Sequence, residues 1–136
     1  MKKVAYISTL GLSPEAVTNS FWCVVRDERL EIAKVYLLCS HDDEKRGIRG
    51  SSALFEEVKD KILEIAQRME LQLNEKDILK IEVKQEDIKI IYNEIKKIYN
   101  QLKEEYDICI DITGGRKTMS GGALLAARDL NLKCYY

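Results

Sequence analysis

Residues 111–122 contain the side chains whose types and spacing are best suited to bind an anion. Paired glycines, Gly114 and Gly115, follow a short apolar run and precede Lys117. Paired glycines let backbone N–H groups approach a ligand closely, and a lysine at the start of a helix adds a point charge. Position 116 holds Arg116 where a Walker A phosphate loop requires glycine, so the segment is not such a loop. The spacing favours a binding function for Gly114, Gly115 and Lys117 over a simple turn.

A second candidate anion site lies in residues 8–14, before the first predicted helix. There Gly11 leads the chain into a helix N-terminus, whose N–H groups and positive dipole end attract phosphate. The hydroxyls of Ser8, Thr9 and Ser13 could add hydrogen bonds. Taken alone, the segment is explained better by a cap at Ser13 and a turn at Gly11. It lacks the G-x-G-x-x-G pattern and an assignable ribose-binding acid, which argues against a dinucleotide oxidoreductase.

Alternating short apolar runs and longer amphipathic stretches predict the elements that position these segments. The strand candidates are residues 3–8, 34–40, 79–84, 106–112 and 132–136. The helix candidates are residues 14–27, 52–71, 86–105 and 118–129. Strict alternation predicts an α/β fold: a Rossmann-like, doubly wound, mostly parallel sheet with helices on both faces. Ligands bind such sheets beyond the carboxyl ends of the strands, near the topological switch point, which is where both segments are expected.

Residues near the second segment have expected structural roles. Asp111 ends a buried strand, and we expect it to hold the glycine loop by accepting backbone N–H bonds. Gly121 and Gly122 are expected to permit close packing of the last helix on the sheet.

The first two helices carry predicted start signals. Ser13 is expected to cap the first helix, with Pro14 at its first position, and Ser51 or Ser52 to cap the second. Residues 21–25 leave the first helix without a polar face over more than one turn, which predicts burial on all sides. Packing within the chain and a dimer interface beside the ligand site explain this equally well.

Length and composition describe one domain, residues 1–136. The 136 residues include 22 Lys and Arg against 23 Asp and Glu and are 46% hydrophobic, as in a globular domain. No apolar run approaches the roughly 18 residues of a membrane span, and the Met-Lys-Lys start runs into an alternating segment instead of a signal-peptide core. A cytoplasmic protein without a membrane partner is expected.

The charge is distributed unevenly along the chain. Residues 1–13 carry two lysines and no acid, and residues 111–136 carry four basic and two acidic side chains, while the middle is acidic. This pattern lacks the basic stripe of a protein that binds long duplex DNA. A compact anion held by a few groups fits better.

The remaining candidates for chemistry have simpler structural explanations. The four cysteines lie far apart in apolar stretches with no C-x-x-C pair, so buried free thiols are expected and no metal site: Cys23, Cys39, Cys109 and Cys134. Residues 82–84 imitate the Glu-x-Lys of a metal-dependent nuclease, yet an exposed edge of an alternating strand explains them better. The single histidine, His41, lies in a charged loop and is expected to be solvated, although this long loop could lie over a ligand as a lid.

The two glycine-containing segments resemble those of the CRISPR-associated Rossmann-fold domains, which sense cyclic oligoadenylate second messengers. Residues 8–18 resemble the family's first-strand loop, and residues 111–120 resemble its glycine-glycine-x-lysine loop. The resemblance spans the whole chain in order. It implies a homodimer in which these loops face each other across a two-fold axis and bind one ring of four or six adenylates. An even-numbered ring matches such a dimer by symmetry.

The resemblance predicts a sensor domain of type III CRISPR antiviral signalling that switches on an effector domain outside this chain, without a cofactor. Its implied ligand-binding residues are Ser8, Thr9, Leu10, Gly11, Ser13, Thr113, Gly114, Gly115, Arg116, Lys117, Thr118 and Met119. The alternative is a metal-independent ring nuclease, in which a ribose 2′-OH attacks its adjacent phosphate and leaves a 2′,3′-cyclic phosphate. In that case Lys117 and the backbone amides of residues 114–117 would stabilise charge, and Thr9 or Ser8 would help orient the sugar.

Overall fold

The five predicted strands form one parallel sheet in the computed structural model, which describes residues 2–84 and 87–136. The strands are β1 (Lys3–Thr9), β2 (Ile32–Ser40), β3 (Ile78–Val83), β4 (Tyr106–Asp111) and β5 (Lys133–Tyr135). They lie in the order β3-β2-β1-β4-β5, and each neighbouring pair is parallel. The chain winds outward one way from β1 to β3 and the other way from β4 to β5. This places the topological switch point between β1 and β4.

Four α-helices connect the strands, as predicted: α1 (Pro14–Glu28), α2 (Phe55–Arg68), α3 (Ile88–Leu102) and α4 (Lys117–Asp129). The predicted start of the third helix at residue 86 lies outside the described residues; α3 begins at Ile88, where the Asp87 carboxylate accepts a hydrogen bond from the N–H of Ile90 at 3.1 Å. None of the helices in the described ranges has both the length and the apolar character needed to cross a membrane.

The helices cover both faces of the sheet, as the alternation predicts. On one face, alternate side chains of β1 such as Tyr6 pack against α1 and α2, with the Tyr6 and Phe21 rings edge to face at 5.3 Å. On the other face, Ala5 and Ile7 pack against α3 and α4. Because β1 is buried on both sides, the loop that follows it starts from a rigid position.

The close packing predicted for Gly121 and Gly122 is confirmed for Gly122 alone, and its partner is α3 instead of the sheet. A Cβ at Gly122 would lie 2.9 Å from the carbonyl oxygen of Ile88 and 3.0 Å from the Cβ of Ile91. A Cβ at Gly121 would meet nothing within 4 Å. The close approach is therefore between α4 and α3 rather than between α4 and the sheet.

The prediction that α1 is buried on all sides is wrong for the chain by itself. Phe21, Val24 and Val25 are buried, whereas Trp22 is 37% exposed and Cys23 is exposed. An α-helix that lies on a sheet buries one face, and residues one position apart point about 100° from each other. The outer face of α1 therefore leaves part of Trp22 and Cys23 open to solvent.

The predicted caps are also corrected. Ser13 precedes α1, but its hydroxyl donates to the Glu15 carboxylate at 3.2 Å and does not accept a helix N–H. Neither Ser51 nor Ser52 caps α2, because a 3₁₀ helix at Ser52–Leu54 intervenes. The hydroxyl of Ser51 instead donates to the carbonyl oxygen of Leu10 at 2.6 Å, so it ties two loops together.

All four cysteines are free, as predicted, but they are not all buried. Cys39 and Cys109 are buried, and burial raises the pKa of each thiol to about 12. Cys134 is half-buried and Cys23 is exposed. The two buried thiols are therefore unreactive structural side chains.

Candidate functional site

The loops after β1 and β4 meet at the switch point and contact each other through their glycines. A Cβ at Gly114 would lie 2.5 Å from the carbonyl oxygen of Thr9, and a Cβ at Gly11 would lie 2.8 Å from the backbone nitrogen of Gly115. Gly115 has a φ of +91°, and a Cβ there would lie 2.8 Å from the Cβ of Thr9. The hydroxyl of Thr9 donates to the carbonyl oxygen of Gly114. The three glycines thus have a structural reason to be glycine, namely the close approach of two backbones.

Asp111 holds the fourth-strand loop, as predicted, and does so within a buried network. Its carboxylate accepts a hydrogen bond from the N–H of Thr113 at 2.9 Å and from the hydroxyls of Tyr6 and Ser20. The Ser20 hydroxyl also lies 3.2 Å from that of Thr113. The network joins the loop to β1 and α1, so the loop has little freedom to move.

Burial and the neighbouring Asp111 carboxylate raise the pKa of Tyr6 well above its ordinary value. The Tyr6 hydroxyl therefore stays protonated and acts as a donor to Asp111. Sequence analysis found neither Tyr6 nor Ser20. Their positions on a strand and a helix carry no local signal of a partner 105 or 91 residues away.

The predicted site residues fall into two groups by accessibility. The buried group comprises Ser8, Thr9, Leu10, Gly11, Gly114 and Met119. Gly115 and Thr118 are partly exposed, and the exposed group comprises Ser13, Thr113, Arg116 and Lys117. The solvent-facing part of the candidate site is therefore the loop after β4 and the start of α4, supported from beneath by the loop after β1.

The start of α4 carries the positive charge of the site. The helix begins at Lys117, and Arg116 precedes it without a side-chain cap. In the described part of the chain, Lys117 makes no salt bridge, so its ammonium adds to the positive end of the helix dipole. At the start of α1, by contrast, Glu15 lies in the first turn and offsets the dipole. Of the two predicted anion sites, the α4 end is the more electropositive.

Residues 41–51, which follow β2, extend the site along the same edge of the sheet. Nδ1 of His41 lies 2.8 Å from Oε2 of Glu82, so the histidine expected to be solvated is exposed but contacts a carboxylate. Farther along, the carbonyl oxygen of Arg49 accepts a hydrogen bond from Nη2 of Arg116 at 3.2 Å. Glu82 lies on the edge strand β3, as predicted for residues 82–84. The His41–Glu82 pair was missed because its members lie 41 residues apart.

Comparison with known proteins supports the fold. No family model matches the chain, and no curated protein matches it. Solved structures with a similar fold include two that hold a cyclic oligonucleotide. The first, Can2 from Sulfobacillus thermosulfidooxidans in complex with cyclic tetra-adenylate, has a TM-score of 0.60 and 16% identity over 96% of this chain and 31% of that protein.

The second, Enterococcus italicus Csm6 bound to cyclic hexa-2′-fluoro-hexa-dAMP, has a TM-score of 0.63 and 15% identity over 98% of this chain and 32% of that protein. The chain spans about a third of the length of each. At this level of identity the likeness concerns the fold. The chain has the Rossmann-like α/β fold that its resemblance to CRISPR-associated Rossmann-fold domains predicts.

Proposed function

We propose that this chain is a cyclic oligoadenylate-binding sensor domain of type III CRISPR antiviral signalling. The carrying observation is the junction of the β1 and β4 loops at the switch point, with Lys117 at the exposed start of α4. Two proteins with this fold were solved with cyclic oligonucleotides bound. The junction supplies what a ring of phosphodiesters needs, which is helix N–H groups and a lysine on a rigid support.

A homodimer is part of this proposal. Several apolar side chains are exposed on α4 and α1 or just before α1: Leu12, Trp22, Leu124 and Leu125. Both helices begin at the loops of the candidate site and Leu12 lies in one of these loops, so a two-fold contact through these side chains would place two copies of the site in one dimer. An effector domain that the ring switches on, outside residues 1–136, completes the proposal.

Isothermal titration with cyclic tetra- and hexa-adenylate tests the binding. We expect one ring per two chains and much weaker binding of linear oligoadenylate and ATP. Lys117→Ala should weaken binding by about 1.5–3 kcal/mol, as expected for a charge-assisted phosphate contact. Lys97→Ala, on the outer face of α3 beside Glu94, is the matched control and should change little. Equal affinity for ATP and the rings, or an unaffected Lys117→Ala, would contradict the proposal.

Sedimentation with the ring present tests the dimer. Trp22→Glu and Leu124→Glu probe the two exposed apolar faces, and we expect one of them to give a folded monomer. A wild-type chain that stays monomeric at micromolar concentration with saturating ring would contradict the two-fold arrangement.

A further inference from the structure

The segment that follows β2 is closed by a buried neck, which consists of Ser40, Gly50 and Ser51. The N–H of Ser40 donates to the hydroxyl of Ser51 at 2.9 Å, and the N–H of Ser51 donates to the hydroxyl of Ser40 at 2.9 Å. A Cβ at Gly50 would collide with the carbonyl oxygen of Ser40, so the two backbones lie in direct contact. The Ser51 hydroxyl also donates to the carbonyl oxygen of Leu10 in the loop after β1. The neck therefore has a fixed place beside the candidate site.

Arg49 directly precedes this neck and is exposed. Its carbonyl oxygen accepts a hydrogen bond from Nη2 of Arg116 at 3.2 Å, which ties it to the residue before α4. This contact uses only the backbone of Arg49. Within residues 2–84 and 87–136, the guanidinium of Arg49 makes no ion pair and no hydrogen bond, so it is available to a ligand.

The segment also carries three carboxylates, and the contacts of two of them hold its shape. Oδ1 of Asp42 accepts a hydrogen bond from the N–H of Gly50 at 2.8 Å. Oδ1 of Asp43 accepts one from the backbone N–H three residues later, at 3.3 Å. Glu44 lies in the turn that Asp43 and Ile48 close with a backbone bridge. Among the described residues, none of the three forms an ion pair with the arginine that precedes the neck.

Three cationic side chains thus gather at one part of the carboxyl edge. Arg116 and Lys117 are adjacent at the start of α4, and Arg49 is joined to Arg116 through its backbone. In the part of the chain that the structure describes, Arg49 and Lys117 have no carboxylate partner. Like charges repel one another, and a bound anion removes that repulsion.

We propose that Arg49 binds a phosphodiester group of the cyclic oligoadenylate, as a ring contact outside the two glycine loops. A planar guanidinium donates two parallel N–H bonds to the non-bridging oxygens of one phosphodiester. Because the neck already fixes the backbone of Arg49, the contact requires little further ordering of the chain. This inference rests on the proposed ring binding and adds a residue to it that neither loop motif contains.

Titration of the full chain with cyclic tetra- and hexa-adenylate at several salt concentrations tests the inference. Arg49→Ala should weaken ring binding about 10-fold, and its affinity should fall less steeply with salt than that of the wild type, because one phosphate contact is lost. The substitution keeps the carbonyl oxygen that Arg116 contacts, so the Tm of the free protein should not change. Arg49→Lys keeps the charge without the planar fork and should lose less affinity than Arg49→Ala.

Two matched controls separate this contact from general attraction between the protein and an anion. Lys45→Ala removes an exposed cation from the turn of the same segment, and Arg68→Ala removes an arginine that pairs with Glu64 at the end of α2. Both should keep the wild-type affinity and salt dependence. If Lys45→Ala weakens binding as much as Arg49→Ala, the charge of the whole segment attracts the ring and the inference is wrong.

The remaining outcomes distinguish this inference from the proposed function. A wild-type chain that binds no ring overturns the proposed function and the inference with it. Ring binding that Lys117→Ala weakens and Arg49→Ala leaves unchanged overturns the inference alone. A lowered Tm of Arg49→Ala, or a loss of affinity with an unchanged salt dependence, also overturns it, because the side chain would then support the fold instead of binding phosphate.

Discussion

The carboxyl edge of the sheet has two halves that are built differently. In the inner half, the loops after β1 and β4 contact each other backbone to backbone, and the carboxylate of Asp111 is fully buried among three donors. In the outer half, residues 41–51 and β3 are joined by contacts between exposed side chains, such as that of His41 with Glu82. The inner half is a rigid support, whereas the outer half offers accessible reactive groups.

This difference separates the role of the two glycine loops from that of the charged loop. Gly114 and Gly115 were interpreted from sequence as ligand-binding glycines, and their backbone positions also make the inner half possible. A charged loop with no motif holds the exposed histidine. Rigid supports therefore leave a mark in sequence through glycine, while side-chain pairs between strands leave none.

The largest expected effect comes from adding a methyl group to each half. Gly114→Ala would place its Cβ 2.5 Å from the carbonyl oxygen of Thr9, which belongs to the central strand and cannot yield, so we expect a loss of about 3–4 kcal/mol in the free energy of unfolding. Gly47→Ala in the outer half has open space around its Cβ and only an unfavourable φ of +65°, so about 1 kcal/mol is expected. Urea denaturation measures both. Equal losses would remove the distinction between the halves.

The second comparison removes one carboxylate from each half. Asp111→Ala leaves the buried hydroxyl of Tyr6 and the N–H of Thr113 without their acceptor, and we expect a loss of about 2–3 kcal/mol. Glu82→Ala removes a solvent-exposed carboxylate, and surface ion pairs contribute little to stability. Thermal unfolding of both variants should show a large fall in Tm for Asp111→Ala and a small one for Glu82→Ala. The reverse order would mean that the outer half carries the stability.

Sequence reasoning predicted the fold because periodicity reports which face of an element is buried. All five strands and all four helices were found, as was the role of Asp111, which follows from its place at the end of a buried strand. What it missed depends on competition between side chains and on how each helix lies on the sheet. Ser13 has the right type and place for a cap, but the Glu15 carboxylate two residues away takes its hydroxyl. Trp22 faces outward although its neighbours are buried, because the sheet decides which face of α1 is covered.

The smallest expected effect is a difference between the two halves in how the free energy of unfolding depends on pH. In the inner half, burial and Asp111 raise the pKa of Tyr6 in the folded state, while in the unfolded chain it titrates near 10. The unfolded state therefore releases this proton first, and the stability that Tyr6 contributes is complete below pH 10 and falls as the pH rises, by about 1.4 kcal/mol for each pH unit. In the outer half, the pKa of Glu82 is lowered, so its contribution is present above its unfolded value and is lost as the pH falls.

Urea unfolding from pH 8 to 11 of the wild type and of Tyr6→Phe isolates the tyrosine from other groups that titrate in the same range. Buried thiols such as Cys39 and Cys109 also have raised pKa values, so the wild-type slope is a sum over several groups and only its difference from the variant reports Tyr6. Tyr6→Phe should be less stable than the wild type near neutral pH, because Asp111 loses a hydrogen-bond donor. Its free energy of unfolding should fall less steeply as the pH rises, by the slope that one titrating group contributes. The two curves should therefore converge in alkali. Parallel curves would mean that the Tyr6 hydroxyl titrates alike in both states, and the buried hydrogen bond to Asp111 would then not distinguish the inner half.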